Sequence, residues 1–288
     1  IFSTPANLLP TKGDGSNDFV AGRPNIVSGR QDNRGFEGLT VSADGKTAYA
    51  ILQDPLVNEG AQNDGRRSRN VRIVAFDVAT GASTAQYIYQ LESVSSINTI
   101  VPNNIFSATN QGRSIGASSI YALSDGRLIV LERDNRGEGV DDPNSAIPSG
   151  LKAAFVIDLA GATNVAGISL ANSNSLPVGV VPVSKAAFLD IRAKLLAAGV
   201  VIPEKIEGLA FGPRLANGGL SLILATDNDY SVTQSGSGAQ FDVCTSGVGG
   251  VSSQVALGSG CPNGQSLIAS RLFSFLLTND EAVALGFA

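Results

Sequence analysis

Four glycine turns set between runs of β-forming residues constrain this chain more than any other feature of its sequence. LTVSADGKTAYAILQ (39–53) turns at Asp44-Gly45, and VRIVAFDVATGASTAQYIYQL (71–91) turns at Thr80-Gly81. IYALSDGRLIVLE (120–132) turns at Asp125-Gly126, and LAFGPRLANGGLSLILATD (209–227) turns at Asn217-Gly218-Gly219. Glycine reaches positive φ at no steric cost, and a tight hairpin needs it. The flanking Val, Ile, Leu, Tyr and Phe favour a pleated, half-buried strand. KAAFVIDLAG (152–161) and RLFSFLLT (271–278) read as further strands, so the expected class is all-β. One stretch breaks the pattern. SKAAFLDIRAKLLAAG (184–199) places Phe188, Ile191, Leu195 and Leu196 at helical spacing between Ser184 and Gly199. That spacing predicts one short surface helix near 184–198.

The hairpins recur. First-strand candidates start near residues 36, 118 and 206, and each opens a unit of paired hairpins. Such a unit matches one four-stranded blade, so the expectation is a β-propeller, as a complete ring or part of one, in a single domain over 1–288. Three long units make about half of a ring, which suggests either a C-terminal portion whose N-terminal partner is missing or a separate fragment of the same precursor, or loops that hide further short strands. A β-sandwich is the runner-up.

Within the repeat lies a polar oddity. RGFEGLTVS (34–42) and KIEGLAFGP (205–213) both set a glutamate, a glycine and a leucine at the start of a strand. The second strands of the units end in Gln53-Asp54, in Glu132-Arg133-Asp134 and in Asp227-Asn228-Asp229. If the units surround one axis, Glu37, Glu132, Glu207, Asp227 and Asp229 converge. Two carboxylates about 5 Å apart repel by about 3 kcal/mol at an effective dielectric near 20, so a cation is expected among them. Oxygen ligands of this kind suit Ca²⁺, with Mg²⁺ as the alternative. Arg133 and Lys205, adjacent to these acids, would offset their charge or hold an anionic substrate. Glu37, Glu132 and Glu207 are the candidate catalytic carboxylates, Glu207 being the first choice as base.

Composition narrows the chemistry. The chain contains no histidine, so no Ser-His-Asp triad, Cys-His pair or imidazole zinc site can form. Its net charge of −5 and pI near 4.8 oppose a nucleic-acid partner. No apolar run approaches the roughly 18 residues that a membrane helix needs. Cys244 and Cys261 bracket a loop rich in Gly, Ser and Val that has little else to hold it, so a disulfide is expected, and with it an oxidising compartment. The sequence begins Ile1-Phe2 and lacks Met throughout, which reads as a processed or truncated product. GDGSND (13–18) matches a calcium loop only in part, and 58–70 and 134–144 read as surface loops able to close over the site.

NRGFEGLTVSADGKTAYAILQDPL, DGRLIVLERD, IDLAGATN, KIEGLAFGP and ATDNDY, taken in order, resemble the phytase-like family ("esterase-like activity of phytase"). The tail FDVC…LGSGCPNGQSLIASRLFSF is similar to fungal members. The resemblance implies a secreted β-propeller that hydrolyses phosphoric esters on a small phosphorylated substrate. It also implies a further N-terminal part before the RGFEGL segment. The expected function is thus a calcium-dependent phosphoric-ester hydrolase. Its alternative is a non-catalytic binding module around a structural calcium ion.

Overall fold

The computed structural model describes residues 1–287. Every strand pair in its sheets is antiparallel. After a two-stranded ribbon of β1 (Thr11–Lys12) and β2 (Ile26–Ser28), the chain builds a four-stranded meander. It runs β3 (Phe36–Val41), β4 (Thr47–Leu52), β5 (Asn70–Asp77) and β6 (Ser83–Gln90) in sequence order. Two single-turn helices, α1 (Val94–Ile97) and α2 (Gln111–Ser114), lead to the second meander. This one is β7 (Ile115–Ala122), β8 (Leu128–Asp134), β9 (Lys152–Asp158) and β10 (Ser184–Asp190). Helix α3 (Ile191–Ala197) precedes the third sheet, whose β11 (Lys205–Arg214) pairs with β12 (Leu220–Asp227). Between β12 and its other neighbour the chain makes a small sheet of β13 (Val232–Gln234), β14 (Gln240–Thr245), β15 (Ser252–Ala256) and β16 (Ser266–Leu267). It then returns as β17 (Leu272–Leu277) to complete the third sheet, and ends in α4 (Asn279–Ala284).

The core follows from strand periodicity. Successive residues of a strand face opposite sides. In β8, Leu128 and Val130 enter a cluster with β4, β5 and β6, whereas Ile129 and Leu131 enter a cluster with Leu222 and Leu224 of β12. The second sheet is therefore buried on both faces, between the first and the third. The first strands of the three sheets lie beside one another. Ala122 N donates to Thr40 Oγ1 at 2.9 Å, and Ser118 Oγ donates to the Ile206 carbonyl at 2.8 Å.

The all-β expectation holds, but the sheets are not arranged as a propeller. The row stops at its two outer faces and no ring closes among the described residues. Leu39 and Val41 of β3 are 63% and 48% exposed, and Leu272 and Leu276 of β17 are 76% and 63% exposed. Closure would need further sheets against those faces, and the segment that follows β12 goes instead to the small sheet.

The helix expected at 184–198 forms only in its second half. Ser184–Asp190 pairs with β9, from Ser184 opposite Asp158 to Asp190 opposite Ala153. The free edge of β9 offered those backbone groups partners, and tertiary pairing overrode helical propensity. Asp190, rather than Ser184, caps the helix by accepting from Ala193 N at 2.8 Å. Cys244 and Cys261 are joined as a disulfide, which ties the strand β14 to the loop after β15. No helix is long and apolar enough to cross a membrane among the described residues.

Candidate functional site

The repeated glutamates owe their positions to a repeated irregularity. In β3, Phe36 pairs with Leu52 and Gly38 with Ile51, which leaves Glu37 as an extra residue. In β11, Ile206 pairs with Thr226 and Gly208 with Ala225, which leaves Glu207 extra. The same bulge in β7 leaves Ser118 extra, between Ala117 opposite Glu132 and Ser119 opposite Leu131. A bulge turns one side chain out of the strict alternation of the pleat. Each Glu-Gly therefore aims a carboxylate along the end of its sheet instead of into the core. Gly38 also lets β7 approach, because a Cβ there would lie 2.6 Å from Ile120 N.

Glu37 and Glu207 do come together, around Arg133. Arg133 Nη2 donates to Glu207 Oε1 at 2.5 Å. Glu37 is half-buried, and burial pushes its pKa up. Repulsion from Glu207 adds to the rise, while Arg133, Arg34 and Lys205 oppose it. Gln53, with its amide nitrogen turned toward the carboxylate, donates to Glu37 Oε1 at 3.0 Å and accepts from Arg34 Nη1 at 3.1 Å. Beneath Arg34 lies Asp54, whose Oδ2 is 3.2 Å from Arg34 Nε without hydrogen-bond alignment. Asp54 is fully buried and its pKa is pushed up to about 7. Burial is the main cause, and Arg34, Arg113 and Arg133 limit the rise. The Nε atoms of Arg34 and Arg133 are likewise buried without a partner among the described residues.

Lys205 binds both oxygens of Asp229 and lies 4.0 Å from Asp227 Oδ2. The turn that presents Asp229 is strained. Asp229, Tyr230 and Ser231 have φ of 50°, 55° and 58°, a left-handed run of three residues that are not glycine. Asp227 Oδ1 accepts from Asp229 N at 3.0 Å, and Ser231 Oγ donates to the Val243 carbonyl at 2.6 Å, which holds the turn.

Glu132 stands apart from this group. Its neighbour Arg133 points to Glu207, so the pleat sends Glu132 the other way, where it is fully buried. There it accepts from Tyr89 Oη at 2.7 Å, from Lys185 Nζ at 2.8 Å and from Glu92 N. Burial pushes the Glu132 pKa up, and Lys185 is the first of the groups that oppose the rise.

These carboxylates do not fit a calcium ion. Glu207 faces Arg133, Asp54 faces Arg34, Asp229 faces Lys205 and Glu132 faces Lys185. No group of three or more His, Cys, Asp or Glu able to hold a metal occurs among the described residues. In the GDGSND loop, Asp14 accepts from Ser16 N at 2.9 Å and from the Ser16 hydroxyl, and Asp18 caps Val20 and Ala21. Neither loop expected at the surface lies free. Glu59 in 58–70 makes a buried ion pair with Arg72, and Asp134 at the start of 134–144 makes one with Lys152.

Arg34 escapes a reading of motifs, and Gln53-Asp54 is read only as a strand end and given no role. Gln53-Asp54 ends its strand as Glu132-Arg133 and Asp227 end theirs, a positional signal that was present in the repeat. Arg34 precedes the bulged Glu37 by three residues, in RGFE, and that offset was the only cue.

Comparison with known proteins gives this geometry a context. The family described as "Phytase-like: Esterase-like activity of phytase" matches residues 2–230. An "Uncharacterized secreted protein" of Arthroderma benhamiae is 29% identical over 239 residues, covering 74% of this chain and 46% of that protein. The match thus spans less than half the length of that relative.

Proposed function

This chain belongs to the phytase-like family, and from that premise we propose that it hydrolyses phosphoric esters at the group formed by Glu37, Arg133, Arg34, Glu207 and Lys205. The observation that carries this reading is the contrast between Glu37 and its neighbours. Glu207 and Asp229 are each bound to a cation, whereas Glu37 takes its one hydrogen bond from Gln53 and forms no ion pair among the described residues. A half-buried carboxylate with a raised pKa is a better proton acceptor than one neutralised by a guanidinium. The role of base therefore goes to Glu37 in place of Glu207. Arg133, Arg34 and Lys205 supply positive charge beside it for the phosphoryl oxygens. Water oxygen attacks phosphorus, Glu37 takes the water's proton, and the ester P–O bond breaks. No step is routed through calcium, since the described carboxylates do not prepare a place for it.

We read the chain as secreted. The disulfide suits an oxidising compartment, and the Arthroderma relative is named as a secreted protein.

The test measures release of inorganic phosphate from phytate and aryl phosphates, with and without chelator, in the chain as it stands and in Glu37→Gln. Turnover that survives chelator and falls about 100-fold or more in the variant supports the reading. Turnover abolished by chelator would restore the calcium mechanism. Binding of phosphate with no turnover of phosphoric or carboxylic esters would leave a binding module.

A further inference from the structure

The third sheet has one strand fewer than the first two. β5 is covered on its outer edge by β6, and β9 by β10, whereas β17 follows β12 and no strand pairs with it beyond, among the described residues. The ladder shows which backbone groups this leaves open. Thr226 N donates to the Arg271 carbonyl at 3.0 Å, and the register then runs without a bulge from Ala225 opposite Leu272 to Leu220 opposite Leu277. Hydrogen-bonded and non-hydrogen-bonded residues alternate in an antiparallel pair. Phe273, Phe275 and Leu277 therefore spend their backbone groups on β12, and Leu272, Ser274 and Leu276 turn theirs outward. No backbone group outside β12 bonds to these three residues among the described residues. Proline, charge or a bulge usually blunts such an edge, and β17, which reads LFSFLL, has none of them.

A cleft of about 420 Å³ runs along the strand. It is lined by the consecutive residues Phe273–Leu277, and so by both faces of β17, which sets it at the edge. Its other side is formed by Lys194 and Leu195 of α3 and by Val200, and Glu281 of α4 joins them. Phe273, Phe275 and Leu195 belong to one apolar cluster, so the α3 side of the cleft is apolar. The Glu281 carboxylate is taken up by the cap of α4, where it accepts from Thr278 N at 2.7 Å and from Thr278 Oγ1 at 2.9 Å. The lysines paired with carboxylates among the described residues are Lys46, Lys152, Lys185 and Lys205, so Lys194 keeps its charge free at the cleft.

We propose that the free edge of β17 binds an extended segment of a separate polypeptide as the fourth strand of the third sheet. The backbone of that segment pairs with Leu272, Ser274 and Leu276. Its alternate side chains on the α3 side are apolar and pack on Phe273, Phe275 and Leu195, and a carboxylate meets Lys194. The second sheet shows what such an edge does, since Ser184–Asp190, despite its helical spacing, is drawn out along β9 as β10. A slender peptide suits the place better than a second copy, because any second copy brings its own α3 and α4 to the same edge. None of these residues belongs to the Glu37 group, and the proposal stands whether or not the chain is a hydrolase.

The test uses a fluorescent octapeptide of alternating valine and threonine with a glutamate at one end, and the same peptide N-methylated on its backbone amides. By anisotropy the full chain should bind the plain probe saturably, with Kd below about 1 mM, and the N-methylated probe at least about tenfold more weakly. Ser274→Pro removes an outward N–H and leaves the ladder to β12 in place, and should weaken binding of the plain probe about tenfold. Lys194→Ala should weaken it about threefold. Equal affinity for the two probes, no loss in either variant, or no saturable binding of the plain probe overturns the proposal. A dimer seen by light scattering that Ser274→Pro converts to monomer also overturns it, since a second copy then holds the edge.

Discussion

Replacing Asp54 by asparagine should flatten the pH dependence of folding stability. In the native state the Asp54 carboxyl is fully buried and its pKa is pushed up to about 7. In the unfolded chain it returns to about 3.9. The native protein therefore holds a proton that the unfolded chain has released between those two values. A carboxylate with a raised native pKa contributes stability that is fully present below about pH 4 and is lost as pH rises through about 7. At about 1.36 kcal/mol per unit of pH, the full difference amounts to about 4 kcal/mol. Arg34 lies 3.2 Å away yet is not aligned as a donor, so its charge limits the rise without cancelling it. An asparagine side chain keeps the shape and cannot ionise. Urea unfolding of parent and variant at several values between pH 4 and pH 8 gives the stability difference at each. The parent should lose about 4 kcal/mol relative to Asp54→Asn across that range. A flat difference, or a parent that gains stability as pH rises, would refute the reasoning, since it would mean that Arg34 keeps Asp54 ionised as in an ordinary salt bridge.

Three further outcomes follow from the packing. Lys185→Ala leaves Glu132 buried beside Tyr89 with its cation gone, and should cost about 3 kcal/mol or more in denaturant unfolding. Because Glu132 faces away from Arg133, phosphate affinity should stay within about twofold of the parent in that variant, as titration calorimetry would show. Cys244→Ser with Cys261→Ser opens a link across a sequence separation of 17 and should cost about 3 kcal/mol, with faster proteolysis between β14 and β16 as the readout. Gly38→Ala sets a methyl 2.6 Å from Ile120 N, which is backbone and cannot step aside. It should lower stability by about 1–3 kcal/mol, measured by thermal melting.

Much of the frame was legible because hairpins are local. A Gly turn between two apolar runs specifies register over a few residues, so first strands expected near 36, 118 and 206 begin at Phe36, Ile115 and Lys205. The Cys244–Cys261 link was legible for the same reason, since its two ends are only 17 residues apart along the chain. The stretch 184–190 was misread because its helical spacing is a local property, whereas the edge of β9 that captured it comes from another part of the chain. The assembly of the sheets was misread as a ring because repetition fixes what each unit is and leaves open how many stack and where the stack stops.

At the candidate site the division is sharper. The sequence by itself determined that Glu37 and Glu207 hold equivalent places in their strands, because a repeated Glu-Gly-Leu in a repeated strand meets the same local geometry. Only the tertiary structure decided what each acid faces. A bulge turned Glu37 and Glu207 toward Arg133, and the two-residue period of β8 sent Glu132 to Lys185. The ion pairs followed from which cations the neighbouring sheets delivered within about 4 Å, a long-range outcome that no spacing along the chain encodes. For that reason an expected gathering of bare carboxylates became a group of matched charges, with Glu37 alone left over among the described residues of that group.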